Sequence, residues 1–107
     1  MSCHIKFTDT AKSDLREIAF YIAEQSKDKE IAKRFVEELR ERCKILENFP
    51  ESGSIPRDRV LKSNGYRFLV HKDYLIFYSY NKNENTAYIL AVFNSKRDYF
   101  RVMKKFI

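Results

Sequence analysis

The fold is decided by the stretch Gly65-Tyr-Arg-Phe-Leu-Val-His-Lys-Asp-Tyr-Leu-Ile-Phe-Tyr78, which continues as far as Asn94-Ser-Lys-Arg-Asp-Tyr99. Three apolar runs rich in β-branched and aromatic residues lie close together here, separated by the polar breaks Lys72-Asp73 and Asn81-Lys-Asn-Glu-Asn85. Runs of this kind joined by short polar turns are typical of an antiparallel β-meander. We therefore predict a sheet from this part of the chain, with upstream helices covering one of its faces.

The first hairpin has a predictable register if Lys72 and Asp73 form a two-residue turn. Arg67 then pairs with Tyr78, and His71 pairs with Tyr74. Because side chains alternate across a strand, one face is wholly apolar and the other is mixed. We predict that the apolar face lies on the helices and that the mixed face stays open to hold an anion or a partner. The apolar face carries Phe68, Val70, Leu75 and Phe77, and the mixed face carries Arg67, Leu69, His71, Tyr74, Ile76 and Tyr78.

Length and composition favour one α+β domain over residues 1–107. A chain of 107 residues can bury roughly two-thirds of its unfolded surface, so it can fold without a metal or a disulfide. Gly and Pro occur only twice each, which argues against disorder and long linkers.

From the positions of the two cysteines we predict an intracellular chain without a metal or a cofactor. Cys3 and Cys43 lack the spacing of metal ligands and are interpreted as free thiols in a reducing cytosol. The N-terminus has no long apolar run, and no stretch approaches the roughly 20 apolar residues of a membrane span. We therefore expect a cytoplasmic location.

The net charge of +6 and the pI near 9.4 favour an anionic partner. That partner is either nucleic acid or an acidic protein segment, and the net charge does not distinguish these two classes.

Upstream of the meander, the pattern predicts a strand and two helices. Residues 3–7 alternate as a short strand, and Thr8 or Asp9 is placed to cap the helix that follows. Apolar residues recur at helical spacing over residues 9–25 and again over residues 29–48, with a short break that makes an antiparallel hairpin. The mixed charges on the outer side of the second helix are interpreted as a solvated surface.

The remaining segments complete the predicted architecture. The sequence pattern predicts a loop over residues 51–56 and a short strand at Val60-Leu61. Residues 86–93 are nearly all apolar, as expected for a strand covered on both faces. Residues 96–105 predict a short terminal helix whose apolar side is formed by Tyr99, Val102, Met103 and Phe106.

This order of elements resembles the RelE/ParE toxins of bacterial type II toxin–antitoxin systems. The likeness covers nearly the whole chain and is closer to the ParE branch through Pro50-x-x-Gly53, Tyr74-Leu-Ile-Phe-Tyr78 and the Arg97-Asp98 pair. Further matching features are Phe7-Thr8 with Ala11 and Leu15, Ala32 with Phe35, Gly65-x-Arg67, and Lys96-Arg97-Asp98-Tyr99.

The resemblance implies a growth-inhibiting toxin, of the kind associated with plasmid stabilisation. ParE toxins poison DNA gyrase by binding, whereas RelE toxins cut mRNA in the ribosomal A site. The first activity is the main expectation here, and a ribosome-dependent endoribonuclease is the alternative. A third interpretation is a member that binds its antitoxin and poisons nothing. The tail Lys104-Lys-Phe-Ile107 lacks the terminal His-Tyr of some RNA-cutting relatives.

The candidate site residues differ between the two activities. RNA cleavage by the 2′-hydroxyl needs a base, an acid and cations around the phosphate. For that chemistry the candidates are Arg67, His71, Tyr74 and Arg97, with Tyr78 as a further acid or base. For target binding the candidates are Arg67, Tyr78, Lys96, Arg97 and Tyr99.

The resemblance also implies a cognate antitoxin. We expect an apolar groove between the helix hairpin and the sheet, where the basic surplus favours an acidic segment. An exposed edge at the first strand or at the short second strand is a further place where a partner strand can pair.

Overall fold

The computed structural model describes residues 2–107 and contains a four-stranded sheet with helices on both faces. The strands are β1 (His4–Phe7), β2 (Arg67–His71), β3 (Tyr74–Asn81) and β4 (Thr86–Asn94), in the spatial order β1-β4-β3-β2. Strands β2, β3 and β4 form the predicted antiparallel meander. The predicted α+β architecture is confirmed, with one addition: β1 joins β4 in parallel, so the sheet is mixed.

The predicted register of the first hairpin is confirmed. Arg67 pairs with Tyr78 and His71 with Tyr74, around the turn at Lys72-Asp73. Lys72 adopts a φ of 53°, the left-handed conformation that a tight hairpin turn demands. A bulge interrupts the next ladder, because Phe77 pairs with Ala91 and Tyr78 pairs with Ile89.

Two long helices form the predicted hairpin, α1 (Asp9–Ser26) and α2 (Lys29–Cys43), and a 3₁₀ turn (Lys44–Glu47) follows α2. Thr8 caps α1 by accepting the Ala11 N–H at 3.2 Å. Asp28 caps α2 by accepting the Glu30 N–H at 2.9 Å. These caps satisfy backbone donors that a helix start leaves unpaired. No helix within residues 2–107 is long and apolar enough to cross a membrane.

The helix hairpin covers the mixed face of the sheet, so the prediction that the wholly apolar face lies on these helices is wrong. Leu69, Ile76 and Tyr78 of the mixed face are buried in one cluster with Leu15 and Leu39 of the hairpin. Those three side chains are large and at most 3% exposed, so this face has an apolar core of its own. The mixed face therefore does not stay open, and its polar residues lie at the rim of the hairpin contact.

The other face of the sheet is covered by two short helices, α3 (Arg59–Ser63) and α4 (Tyr99–Met103), the latter extended by a 3₁₀ turn (Lys104–Phe106). The predicted terminal helix is confirmed, whereas the strand predicted at Val60-Leu61 is wrong. Asp58 accepts the N–H groups of Val60 and Leu61 at 2.9 and 3.0 Å, which starts a helical turn there. The second cluster contains Leu61, Leu75, Phe77, Ala91, Phe93 and Met103.

Cys3 and Cys43 are free thiols buried in the first cluster. Burial raises the pKa of the Cys43 thiol to about 12, so this group stays protonated at neutral pH.

Candidate functional site

Arg67 and Tyr78 hold the loop before α3 against the sheet. The Gly53 N–H donates to the Tyr78 hydroxyl at 2.9 Å, and Arg67 Nη1 donates to the Gly53 carbonyl at 3.2 Å. Arg67 Nη2 also lies 3.9 Å from a carboxylate oxygen of Glu51. Tyr78 is 0% exposed, so its side chain offers no surface to a target. Both residues serve the fold, and the predicted contact between Tyr78 and a target does not fit its position.

His71 is engaged at the rim of the hairpin contact. Its Nε2 atom lies 3.0 Å from Oε1 of Glu38 on α2, and Lys72 Nζ lies 3.1 Å from the same oxygen. Hydrogen bonds from His71 and Lys72 hold the pKa of Glu38 below its usual value. This candidate acid or base is therefore already bound to a carboxylate that ties β2 to α2.

A cleft of about 440 Å³ brings together Tyr74, Lys96 and Arg97. Lys96 and Arg97 are exposed, whereas Tyr74 is half-buried and its ring meets Phe35 edge-on at 5.3 Å between centroids. Burial raises the pKa of the Tyr74 hydroxyl, which favours its neutral form. The cleft thus unites three of the predicted site residues beside α1.

Asp14 belongs to this cleft, and the sequence interpretation missed it. Its Oδ2 atom accepts the Val92 N–H at 2.9 Å, which joins α1 to β4. Burial raises the pKa of Asp14, against the hydrogen bond from Val92 and the nearby charge of Lys105. The available signal was its position: Asp14 lies three residues after Ala11 and four before Ile18, both of them buried on α1.

Replacing Asp14 tests whether its ionised carboxylate lowers the free energy of unfolding. A raised folded-state pKa means that ionised Asp14 destabilises the fold, and that this cost falls as pH drops through the folded pKa. We expect Asp14→Asn to be at least as stable as the wild type at pH 7 and to lose that advantage in acid. Asp14→Ala leaves the Val92 N–H without its acceptor, and we expect it to be about 1–3 kcal/mol less stable than Asp14→Asn. Urea unfolding between pH 7 and pH 4 measures the stability of both variants. A lower free energy of unfolding for Asp14→Asn than for Asp14→Ala would contradict this expectation.

Tyr99 is held inside the α3–α4 layer. Its ring lies 5.8 Å from that of Phe77, and its hydroxyl accepts the Asp58 N–H at 3.2 Å. Of the residues predicted to bind a target, Lys96 and Arg97 are therefore the two that are exposed.

The candidate nuclease residues are divided between the cleft and the edge of the helix hairpin, although His71 and Tyr74 are cross-strand neighbours on β2 and β3. Tyr74 and Arg97 line the cleft, whereas Arg67 and His71 are absent from its lining and are bound to a loop and to α2. The arrangement can hold an anion at Lys96 and Arg97. The two predicted catalytic arginines have different surroundings, because Arg97 lines the cleft and Arg67 is bound to the loop at Gly53.

A second concavity, of about 600 Å³, runs between α1 and α2. Its lining comes from the two helices alone, so the predicted position between hairpin and sheet is corrected. The groove is lined by small side chains, because the alanines at positions 19, 23 and 32 do not fill the space between the helices. Phe20 stands at its edge with 70% of its surface exposed. The floor is formed by Leu15, Ala19, Ala23, Ala32 and Val36, and the charged rim by Lys12, Arg16, Lys29, Lys33, Glu37 and Arg40.

The outer strands differ in how far their edges are covered. In β2, Phe68 exchanges two backbone hydrogen bonds with Ser54, and Arg42 donates to the Val70 carbonyl at 3.0 Å. The predicted edge at a short second strand does not exist, because Val60 and Leu61 are helical. Strand β1 pairs only with β4 within the sheet of the described residues.

The family model described as the ParE toxin of the type II toxin–antitoxin system parDE matches residues 5–99. A comparison with curated protein sequences found no significant match.

Three solved structures are similar to this chain. The chromosomal ParDE system from P. aeruginosa matches with a TM-score of 0.72 and 20% identity, over 87% of this chain and 96% of that one. The RelBE2 toxin–antitoxin complex from Mycobacterium tuberculosis matches with a TM-score of 0.59 and 21% identity, over 88% and 92%. The isolated E. coli RelE toxin matches with a TM-score of 0.52 and 15% identity, over 99% and 100%. At these identities the likeness describes the fold.

Proposed function

Since this chain belongs to the ParE toxin family of type II toxin–antitoxin systems, we propose that it inhibits growth by binding DNA gyrase and is neutralised by a cognate antitoxin. The observation that carries the first part is that candidate nuclease residues are already engaged within the fold. Arg67 is bound to Gly53, His71 to Glu38, and Tyr78 is fully buried. Cleavage needs an acid and a base that are free to exchange protons with the substrate, so these internal contacts favour binding over catalysis.

The surface proposed to contact gyrase is the cleft at the end of β4. Lys96 and Arg97 are exposed there, beside the exposed ring of Tyr21. Cations next to an aromatic ring suit an interface that buries an acidic or amphipathic segment, since Arg and Tyr dominate binding energy at such surfaces.

Replacing both cations tests this contact. We expect Lys96→Ala with Arg97→Ala to require about tenfold more toxin to inhibit supercoiling, because the loss of binding energy at an interface cation is on the order of 1.4 kcal/mol. The measurement is supercoiling of relaxed plasmid by purified gyrase over a range of toxin concentrations. Lys27→Ala with Arg34→Ala is the control, because it removes the same charge from exposed positions of the helix hairpin. An equal loss of supercoiling inhibition in both variants would show that the cleft does not contact gyrase.

Expression without antitoxin separates the two activities. Plasmid supercoiling and the ends of ribosome-bound mRNA are followed in parallel. Loss of supercoiling with intact mRNA supports gyrase binding. New codon-phased mRNA ends with normal supercoiling would overturn the proposal and make Arg67→Ala the next variant.

The α1–α2 groove is the surface proposed for the antitoxin. Its floor is apolar, and its rim carries five basic side chains and one acidic one. An amphipathic helix binds such a groove through its apolar face, and acidic residues on its flanks complement the rim. Two of the similar structures are toxin–antitoxin systems, which supports a partner of this class.

A further inference from the structure

The positive charge of the chain is concentrated on one part of the fold. Residues 9–51, which contain the helix hairpin, carry nine Lys or Arg and eleven Asp or Glu. Residues 57–67 and 96–105 together carry nine Lys or Arg and two Asp. The basic surplus therefore belongs to α3, α4 and their flanks, and the groove between α1 and α2 does not account for it.

Two hydrogen bonds hold α3 and α4 side by side on the sheet. The Asp58 N–H donates to Tyr99 Oη at 3.2 Å where the two helices begin. The Tyr66 hydroxyl donates to the Phe106 carbonyl at 2.6 Å where both end. Leu61 and Met103 lie beneath them in the same buried cluster. The outward side of this layer is named here the cationic face, and it comprises the exposed residues Arg57, Arg59, Lys62, Arg101, Lys104 and Lys105.

The two acids on these segments are occupied by backbone groups. Asp58 Oδ1 accepts the N–H groups of Val60 and Leu61, and Asp98 Oδ1 accepts those of Phe100 and Arg101, at 2.9 to 3.4 Å. Within residues 2–107, no residue of the cationic face forms an ion pair with a carboxylate. By contrast, Lys44 and Lys72 on the other side of the sheet are both paired with glutamates. Apart from Lys105, whose charge lies near the Asp14 carboxylate, these exposed cations remain available to an external anion.

We propose that the cationic face binds the phosphate backbone of duplex DNA. Exposed basic side chains without an internal partner can contact phosphates, and such contacts need no base sequence. Single-stranded nucleic acid is the weaker fit, because its binding relies on exposed aromatic rings that stack on bases. The aromatic rings of this layer, Tyr66, Tyr99, Phe100 and Phe106, pack against the second buried cluster instead. Phe20, Tyr21 and Phe49, which are well exposed, lie outside the layer.

The test is anisotropy of a labelled duplex titrated with the full chain at about 50 to 200 mM salt, where phosphate contacts dominate affinity. We expect saturable, salt-dependent binding. In the variant Arg59→Gln, Lys62→Gln, Lys104→Gln we expect affinity to fall about tenfold or more at low salt, and the salt slope to decrease by about two to three.

A matched variant separates the cationic face from net charge. Lys6→Gln, Lys27→Gln, Arg34→Gln removes the same three charges from exposed positions of β1 and the helix hairpin, and we expect its affinity to stay within about twofold of the wild type. Thermal unfolding checks that both variants fold. Equal losses in the two variants, tighter binding of single-stranded RNA of the same length, or no saturable binding at about 50 mM salt would each overturn the proposal. The inference does not depend on gyrase, since DNA binding is measured without it.

Discussion

Gly53→Ala is expected to lower the free energy of unfolding by about 2–4 kcal/mol, because a methyl group has no room at this position. An added Cβ lies 2.6 Å from both Cε1 and Oη of Tyr78, and 3.0 Å from the Phe68 carbonyl oxygen. Tyr78 is fully buried, so its ring cannot swing aside. The change also disturbs the hydrogen bonds through which the Gly53 backbone joins the loop to Tyr78 and Arg67. Urea unfolding at neutral pH measures the loss.

The second glycine of the chain is the control. Gly65 has a φ of 79°, and an added Cβ there meets no atom within 4 Å. Gly65→Ala therefore carries only the cost of a left-handed alanine, about 1–2 kcal/mol. Tyr78→Phe provides a second check, because it removes the acceptor of the Gly53 N–H and should cost about 1–3 kcal/mol without a clash. A Gly53→Ala protein no less stable than Gly65→Ala would contradict the packing argument.

Phe20→Ala is expected to weaken antitoxin binding about 10- to 100-fold while leaving the stability of the free toxin within about 0.5 kcal/mol of the wild type. The ring is 70% exposed at the edge of the α1–α2 groove, so it contributes little to the folded chain alone. An aromatic side chain beside an apolar groove is the kind of residue on which binding energy concentrates. Titration calorimetry of the toxin with the cognate antitoxin gives the affinity, and thermal unfolding gives the stability.

Phe49→Ala is the matched control for this experiment. Phe49 is 62% exposed and follows the 3₁₀ turn after α2, outside the groove. Its loss removes a similar apolar area from the surface without changing the proposed contact. If both variants bind the antitoxin as tightly as the wild type, the antitoxin lies elsewhere, and the unpaired edge of β1 becomes the next surface to test.

The hairpin register could be predicted because it depends on local spacing. A two-residue turn at Lys72-Asp73 fixes which residues pair, and Arg67 and Tyr78 are opposite each other as expected. The helix hairpin was predictable for a similar reason, since apolar residues recur on one side of α1 and α2. For the start of α1 the sequence offered Thr8 or Asp9, and the structure shows that Thr8 is the cap.

The candidate site was less predictable, because its geometry depends on distant parts of the chain. Arg67 was correctly placed next to Tyr78, but its bond to Gly53 requires a loop 14 residues away to fold back on β2. Asp14 joins Val92 across 78 residues. Neither contact follows from periodicity, which describes one element at a time. The groove and the cationic face likewise arise from how helices are placed against each other.

The sequence by itself determined the order of the strands and long helices along the chain, the register of the β2–β3 hairpin and the start of α1 at Thr8 or Asp9, all of which rest on contacts between near neighbours. Tertiary structure alone decided that β1 lies parallel to β4, that Val60 and Leu61 are helical, and which layer covers which face. The physical reason is that both faces of the sheet are apolar enough to be buried. Alternation can sort side chains into two faces, but only the packing of all layers together determines which helices each face contacts.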